Sequence, residues 1–171
     1  AVKAFFGALV ARGLVPSDPA TQLSSPKIKK VVPKSLSADE MERLLAAPGR
    51  SGSAKALRDR ALLELLYATG MRVTEITGLR LDHIDWEAAQ INCPGKGERH
   101  RRLPLGSSAE PLAEYLHRGR PNLMRAESPT ALFLNQRGGP LTRQGLYKVI
   151  QGRAGDVGLA DRMSPHTLRH S

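Results

Sequence analysis

The apolar residues of this chain recur at two different periods, and the switch between them limits what it can fold into. From Ser37 to Leu79, and again over Ser108–Gly119 and Thr142–Val157, they return every three or four positions, the repeat of helices that bury one face. Between His83 and Leu105 short runs bounded by turn residues replace that repeat, and these read as strands. So small a sheet needs helices packed around it. The predicted class is therefore mainly α with a small antiparallel β-sheet, an α+β arrangement.

Local punctuation divides the pattern further. Ser37 and Glu40 form a capping box, with Met41, Leu44 and Leu45 on one face behind it and Pro48-Gly49 as the stop. A second helix is predicted over Ser53–Thr69. Leu57, Ala61, Leu62, Leu65 and Leu66 form its buried stripe, Arg58, Asp59 and Arg60 turn toward water, and Gly70 ends it. Thr74 is positioned to cap a short helix carrying Glu75, Ile76 and Leu79. Strands are expected over His83–Asp85, Gln90–Pro94 and Arg99–Leu105, with residues 95–98 as the connecting turn. Helices are expected over Ser108–Gly119 and Thr142–Val157, with a buried strip at Leu132–Leu134 and a turn at Gly138-Gly139-Pro140 between them. Ser164 and Pro165 open one more helix.

Both ends read as cut. Val2, Phe5, Phe6, Leu9 and Val10 already lie at helical spacing, and AVKAFFGALVARGL has no signal-peptide cleavage pattern. Residues 24–34, SSPKIKKVVPK, have no periodicity and form a basic linker, about 36 Å long if extended. The predicted organisation is a helical end piece over 1–23, that linker, and a main domain from 35 to 171. No stretch of ~18 apolar residues is present to span a membrane. The lone Cys93 forms no internal disulfide, which fits a cytoplasmic location.

The formal charge is +10, which favours an anionic partner, nucleic acid first. Aromatic residues make up only 4 % of the chain, so base stacking on aromatic platforms is disfavoured and phosphate contact to a duplex is preferred. Lys27, Lys29, Lys30, Arg99, Arg101 and Arg102 are the candidate backbone contacts, with Arg143 at the start of its helix as a further one.

Three stretches carry chemistry. In SPHTLRHS, His166 and Arg169 share a helix face near its N-terminus, pairing a proton carrier with a planar phosphate fork. Metal binding through His166 and His170 is disfavoured, because Thr167 stands where a zinc-protease helix needs Glu and Arg169 repels a cation. A capped helix with surface His and Arg is the plainer alternative. In TGMRVTEITGLRLDHID, Arg72 follows a glycine stop, with Glu75 placed to orient a basic neighbour, or else both are ordinary surface groups. In CPGKGERHRRLPL, Lys96 stands between two glycines at a hairpin tip, free to approach a ligand or simply part of a turn.

Taken together, the TG-M-R-V-x-E stretch, the GKG hairpin and H-x-L-R-H-S resemble the tyrosine recombinase (phage integrase) family, in particular its Xer-type members. SADEMERLLAAP adds to the likeness, which covers essentially the whole chain. The resemblance implies an incomplete tyrosine-recombinase catalytic domain over 35–171, with 1–23 as the end of an N-terminal helical core-binding domain. It assigns Arg72 and Arg169 to the scissile phosphate, Lys96 to protonation of the leaving 5′ oxygen and His166 to proton transfer. Glu75 and His170 are supporting groups. The partner implied is double-stranded DNA, gripped by a DNA-assembled tetramer, with no metal or other cofactor.

The resemblance also implies a tyrosine nucleophile downstream of H-x-L-R-H, after an L-G-H motif, and no residue follows Ser171. Tyr67, Tyr115 and Tyr147 stand at other positions of the family pattern. Residues 1–171 alone are therefore expected to be inactive, to bind DNA weakly and to expose apolar surface that further helices would cover. The function implied is site-specific recombination through a 3′-phosphotyrosyl intermediate, of the kind that resolves chromosome dimers. A mobile-element integrase, a non-catalytic DNA-binding relic of a truncated gene, and an RNA-binding module are the alternatives.

Overall fold

The computed structural model describes residues 2–23, 36–49, 52–94, 101–125 and 130–163. The chain forms two compact units, Ala1–Val32 and Pro33–Ser171. In the first, helix α1 (Val2–Ala11) has no buried residue. Phe5 and Phe6 meet edge to face at 5.4 Å, and Phe5 is exposed.

The first described helix of the second unit opens on a capping box. Ser37 Oγ accepts from the Glu40 amide at 3.2 Å, and Glu40 Oε2 accepts from the Ser37 amide at 2.9 Å, which closes the open end of α2 (Ala38–Ala46). Met41 and Leu44 of that helix are buried. Ser53 caps α3 (Ala54–Thr69), and Gly70 ends it at φ +58°, a left-handed conformation that glycine adopts without Cβ strain.

Helix α3 is the axis of the core, and it corrects the sequence reading. Leu57, Ala61, Leu62, Leu65 and Leu66 are buried as expected, but Arg58 and Asp59 do not face water: they are 3 % and 1 % exposed. Arg58 donates from Nε at 2.9 Å and Nη2 at 2.6 Å to Asp59 Oδ1, and from Nη1 at 3.2 Å to the Leu134 carbonyl. A helix enclosed on nearly every side buries its polar face as well, and only pairing makes that tolerable. Arg60 is half-buried, 3.4 Å from Glu114.

After Gly70 comes α4 (Val73–Thr77). Its first flanking residue is Arg72, so Thr74 lies inside the helix and does not cap it. The Glu75 carboxylate takes the capping role by accepting the Arg72 amide at 2.7 Å. The sheet has the order β1 (Ile84–Asp85), β2 (Gln90–Cys93), β3 (Arg101–Pro104), all antiparallel, with Ile84 opposite Ile91 and Cys93 opposite Arg101. His83 falls in the 3₁₀ turn before β1, so that strand is shorter than predicted. The predicted turn at 95–98, and Arg99 of the return strand, lie outside the described residues.

The next helical stretch does not stop at Gly119. Helix α5 (Ala109–Glu114) widens into a π turn over Tyr115–Gly119 and continues as α6 (Arg120–Leu123). The π turn resets the hydrogen-bond ladder, so Pro121 falls in the first turn of α6, where its missing N–H costs nothing. Gly119 is there for closeness: a Cβ would stand 2.9 Å from Tyr115 Cδ2 and 3.0 Å from Leu57 Cβ. A glycine read as a stop is instead the point where this helix packs against α3.

Leu132, Phe133 and Leu134 cross the core as predicted, all buried. The Leu132 amide bonds the Leu79 carbonyl at 2.8 Å, and the Leu141 amide bonds that of Phe133 at 2.9 Å. Tyr115 stacks on Phe133 at 5.5 Å. Thr142 then caps α7 (Arg143–Asp156), which buries Leu146, Ile150 and Ala154. Arg153 of α7 donates from Nη2 at 2.7 Å and Nε at 3.0 Å to Asp59 Oδ2, completing an Arg–Asp–Arg cluster between α3 and α7. The predicted helix start at Ser164 lies outside the described residues.

Candidate functional site

Arg72 owes its place to the backbone on either side. The left-handed turn at Gly70 reverses the chain out of α3, Met71 is buried as an anchor, and Arg72 follows in extended conformation at φ −75°, ψ 154°. Its side chain is left 58 % exposed, while that of Glu75 is only 12 % exposed. Arg72 Nη1 donates to Glu75 Oε1 at 3.0 Å. The same oxygen accepts from Arg101 Nη2 at 2.8 Å, and Glu75 Oε2 holds the Arg72 amide.

Burial raises the Glu75 pKa, but the Arg72 amide and guanidinium and the charge of Arg101 outweigh it, so the carboxyl sits below its ordinary value. It is a fixed anion at neutral pH. Arg72 thus has one guanidinium donor anchored and no other partner for its fork among the described residues, an arrangement suited to a phosphate or another oxyanion. Beneath it, Cys93 is fully buried. Desolvation and then the Glu75 charge push its thiol pKa up, against the hydrogen bond from Arg101, so it is no thiolate nucleophile.

The structure therefore brings together Arg72, Glu75 and Arg101. Arg102 is exposed and, by strand alternation, lies on the opposite face of β3 from Arg101. Arg143 is exposed at the first position of α7, which packs against α4. Lys96, His166, Arg169 and His170 lie outside the described residues, as do Lys27, Lys29, Lys30 and Arg99. Among the described residues no cluster of His, Cys, Asp or Glu is arranged to hold a metal, and no helix is long and apolar enough to cross a membrane.

Sequence reasoning missed a second basic region. A cavity of about 590 Å³ opens beside the N-terminal part of α7, with Lys55, Arg137 and Lys148 on its walls together with the Arg58–Asp59–Arg153 cluster. The two arginines of the cluster are matched by Asp59 and Asp156, but Lys55, Arg137 and Lys148 have no ion pair among the described residues. Arg137 was legible as a turn cation after a buried strip. That Lys55 and Lys148 share its cavity needed the packing of α3 against the later elements.

The fold and site define a class: an α+β domain with a carboxylate-anchored arginine on its surface. Residues 34–171 match the phage integrase family, and the chain belongs to that family. It is 44 % identical over 174 residues to a protein named tyrosine recombinase XerC from Roseiflexus castenholzii, covering 100 % of this chain and 55 % of that one. It is 42 % identical over 173 residues to tyrosine recombinase XerD of Halalkalibacterium halodurans, covering 100 % of this chain and 57 % of the relative. Among solved structures, the XerH site-specific recombinase bound to palindromic difH substrate, in a post-cleavage complex, matches with a TM-score of 0.65 at 28 % identity. That match covers 81 % of this chain and 40 % of the solved one. The chain thus spans little more than half the length of the curated relatives it matches.

Proposed function

We propose that the protein to which this chain belongs is a site-specific DNA recombinase of the tyrosine class, serving Xer-type resolution of chromosome dimers in the cytoplasm. The observation that carries the reading is the largely covered Glu75 carboxylate, 12 % exposed, fixing an exposed Arg72. Charge that develops on the oxygens of a phosphate under attack is stabilised by guanidinium donors already in place, because no reorganisation is left to do. Arg72 and Arg169 are the two forks on the scissile phosphate, Lys96 protonates the leaving 5′ oxygen, and His166 carries a proton near the nucleophile. Glu75 orients Arg72, and His170 is structural. A tyrosine supplied from outside residues 1–171 attacks, and the 3′-phosphotyrosyl bond conserves the energy of the phosphodiester, so strands rejoin without nucleotide or metal.

Duplex DNA is the partner, within a DNA-assembled tetramer. Residues 35–171 form the catalytic domain, 24–34 a basic linker and 1–23 the end of a core-binding domain. Lys27, Lys29, Lys30, Arg99, Arg102 and Arg143 contact the DNA backbone, joined by Arg137 and Lys148 beside α7. The names of the XerC and XerD relatives favour chromosome-dimer resolution over a mobile-element integrase.

The test is trapping on a nicked suicide duplex with the full-length recombinase. The wild type is expected to give an adduct stable to detergent, and Arg72→Ala to slow its formation by ~10²–10³-fold. Absence of any adduct with the full-length protein, or an unaffected Arg72→Ala, overturns the reading.

A further inference from the structure

We infer that Arg101 is a positioning residue for Arg72, acting through the Glu75 carboxylate, and not a contact to the DNA backbone. The inference rests on the recombinase reading above.

Of the three hydrogen bonds that the described residues give the Glu75 carboxylate, two come from Arg72 itself: its amide to Oε2 at 2.7 Å and its Nη1 to Oε1 at 3.0 Å. Those two bonds join residues three apart at the start of one short helix, and alone they would let the pair swing as a unit. The third bond, from Arg101 Nη2 at 2.8 Å, is the one partner from a different element among the described residues. It ties the carboxylate to β3, across 26 positions of sequence.

Arg101 is itself held. Its backbone pairs with Cys93 across the sheet, and Cys93 is completely buried. The sheet thus fixes the Arg101 backbone, and the guanidinium spends a donor on Glu75. A carboxylate held from two elements has a fixed plane, and a fixed plane aims the Arg72 fork. An oxyanion site works only when its donors stand where charge will develop, and a misplacement of ~1 Å costs on the order of 10²-fold in rate. Lys is the informative replacement, since it keeps a charge and a donor for Oε1 but loses the fork.

The experiment uses the full-length recombinase and its Arg101→Ala, Arg101→Gln and Arg101→Lys variants. Single-turnover cleavage at saturating duplex is measured beside duplex affinity across a salt series. Positioning predicts that Arg101→Ala and Arg101→Gln slow cleavage by on the order of 10- to 100-fold, with affinity and salt slope unchanged, and that Arg101→Lys recovers part of the rate. A backbone-contact role predicts weaker binding with a salt slope smaller by ~0.9 and an unchanged saturated rate, and that result overturns the proposal.

If the wild-type protein does not cleave at all, the recombinase reading has failed, and the coupling is read from the Glu75 carboxyl ¹³C resonance instead. A titration midpoint that rises in the variants supports the Arg101–Glu75 link, and an unmoved midpoint overturns it. Should Arg101→Ala fail to fold, the same comparisons between wild type, Arg101→Lys and Arg101→Gln decide.

Discussion

Arg153 on α7 and Asp59 on α3, 94 positions apart in sequence, are joined by two hydrogen bonds to the same carboxylate oxygen, at 2.7 and 3.0 Å. The other oxygen is occupied by Arg58, so one buried carboxylate binds two guanidinium groups and locks α7 to the core helix. Removing the carboxylate leaves Arg58, 3 % exposed, with its charge uncompensated. Asp59→Ala is expected to cost about 3–5 kcal/mol of stability, read by urea unfolding. A loss below ~1 kcal/mol would show that the cluster is dispensable to the fold.

Gly119 tests the packing of the continuous α5–α6 segment on α3. A methyl group there meets Tyr115 Cδ2 at 2.9 Å and Leu57 Cβ at 3.0 Å. Gly119→Ala is expected to destabilise by about 1–3 kcal/mol, despite alanine's higher helix propensity. Gly152→Ala on α7, with nothing within 4 Å of the new Cβ, should instead stabilise by roughly 0.5–1 kcal/mol. Thermal melts of the two variants should move in opposite directions.

Glu64 gives a pH signature of opposite sign to most carboxylates. Burial raises its pKa, opposed by Arg60 and Ser107 and reinforced by Glu110. The native state therefore holds this proton more tightly than the unfolded state, and the contribution of Glu64 to stability falls as pH rises from its ordinary value through its folded value. Glu64→Gln should melt higher than wild type at pH 7. That advantage should vanish on acidification through the folded value. A Gln variant less stable than wild type at neutral pH would contradict the assignment.

DNA binding should draw on the cavity beside α7. Arg137→Ala and Lys148→Ala are each expected to weaken duplex binding across sequences and to lower the slope of log K against log salt by ~0.9. Fluorescence anisotropy over a salt series measures it. Unchanged slopes would place these cations off the DNA.

None of Tyr67, Tyr115 and Tyr147 is expected to act as the nucleophile. Tyr115 is buried with its hydroxyl bonded to the Leu132 carbonyl at 3.3 Å and the Leu134 amide at 3.1 Å. Burial first of all raises its pKa, so a phenolate is disfavoured. The Tyr147 hydroxyl is 3.2 Å from the Gln151 side-chain nitrogen along α7, and Tyr67 sits near the end of α3. Incubating the polypeptide of residues 1–171 with a suicide duplex should give no covalent complex on denaturing gels. A single clean adduct would sink the assignment.

Much was legible in the sequence because the signals were local. Capping at Ser37 and termination at Gly70 each depend on a few neighbouring residues and on backbone angles that one residue type favours. The same holds for the Arg72–Glu75 pair, three apart on one short helix. Two of the corrections have a common origin. Arg58 and Asp59 looked solvent-bound because charge usually is, and the helix was expected to end at Gly119. In both cases a distant segment had arrived against that position.

What the sequence by itself determined was the order and type of elements, the small sheet, and the arginine and carboxylate that open α4. Hydrophobic period and backbone preference are properties of neighbours, so they can be read along a line. Tertiary structure alone decided that Asp59 is buried between Arg58 and Arg153. It also decided that Lys55, Arg137 and Lys148 share one cavity, and that Arg101 turns to Glu75. A charge's partner is set by which elements pack together, and desolvation then makes that partner obligatory. Neither condition exists until the chain has closed on itself.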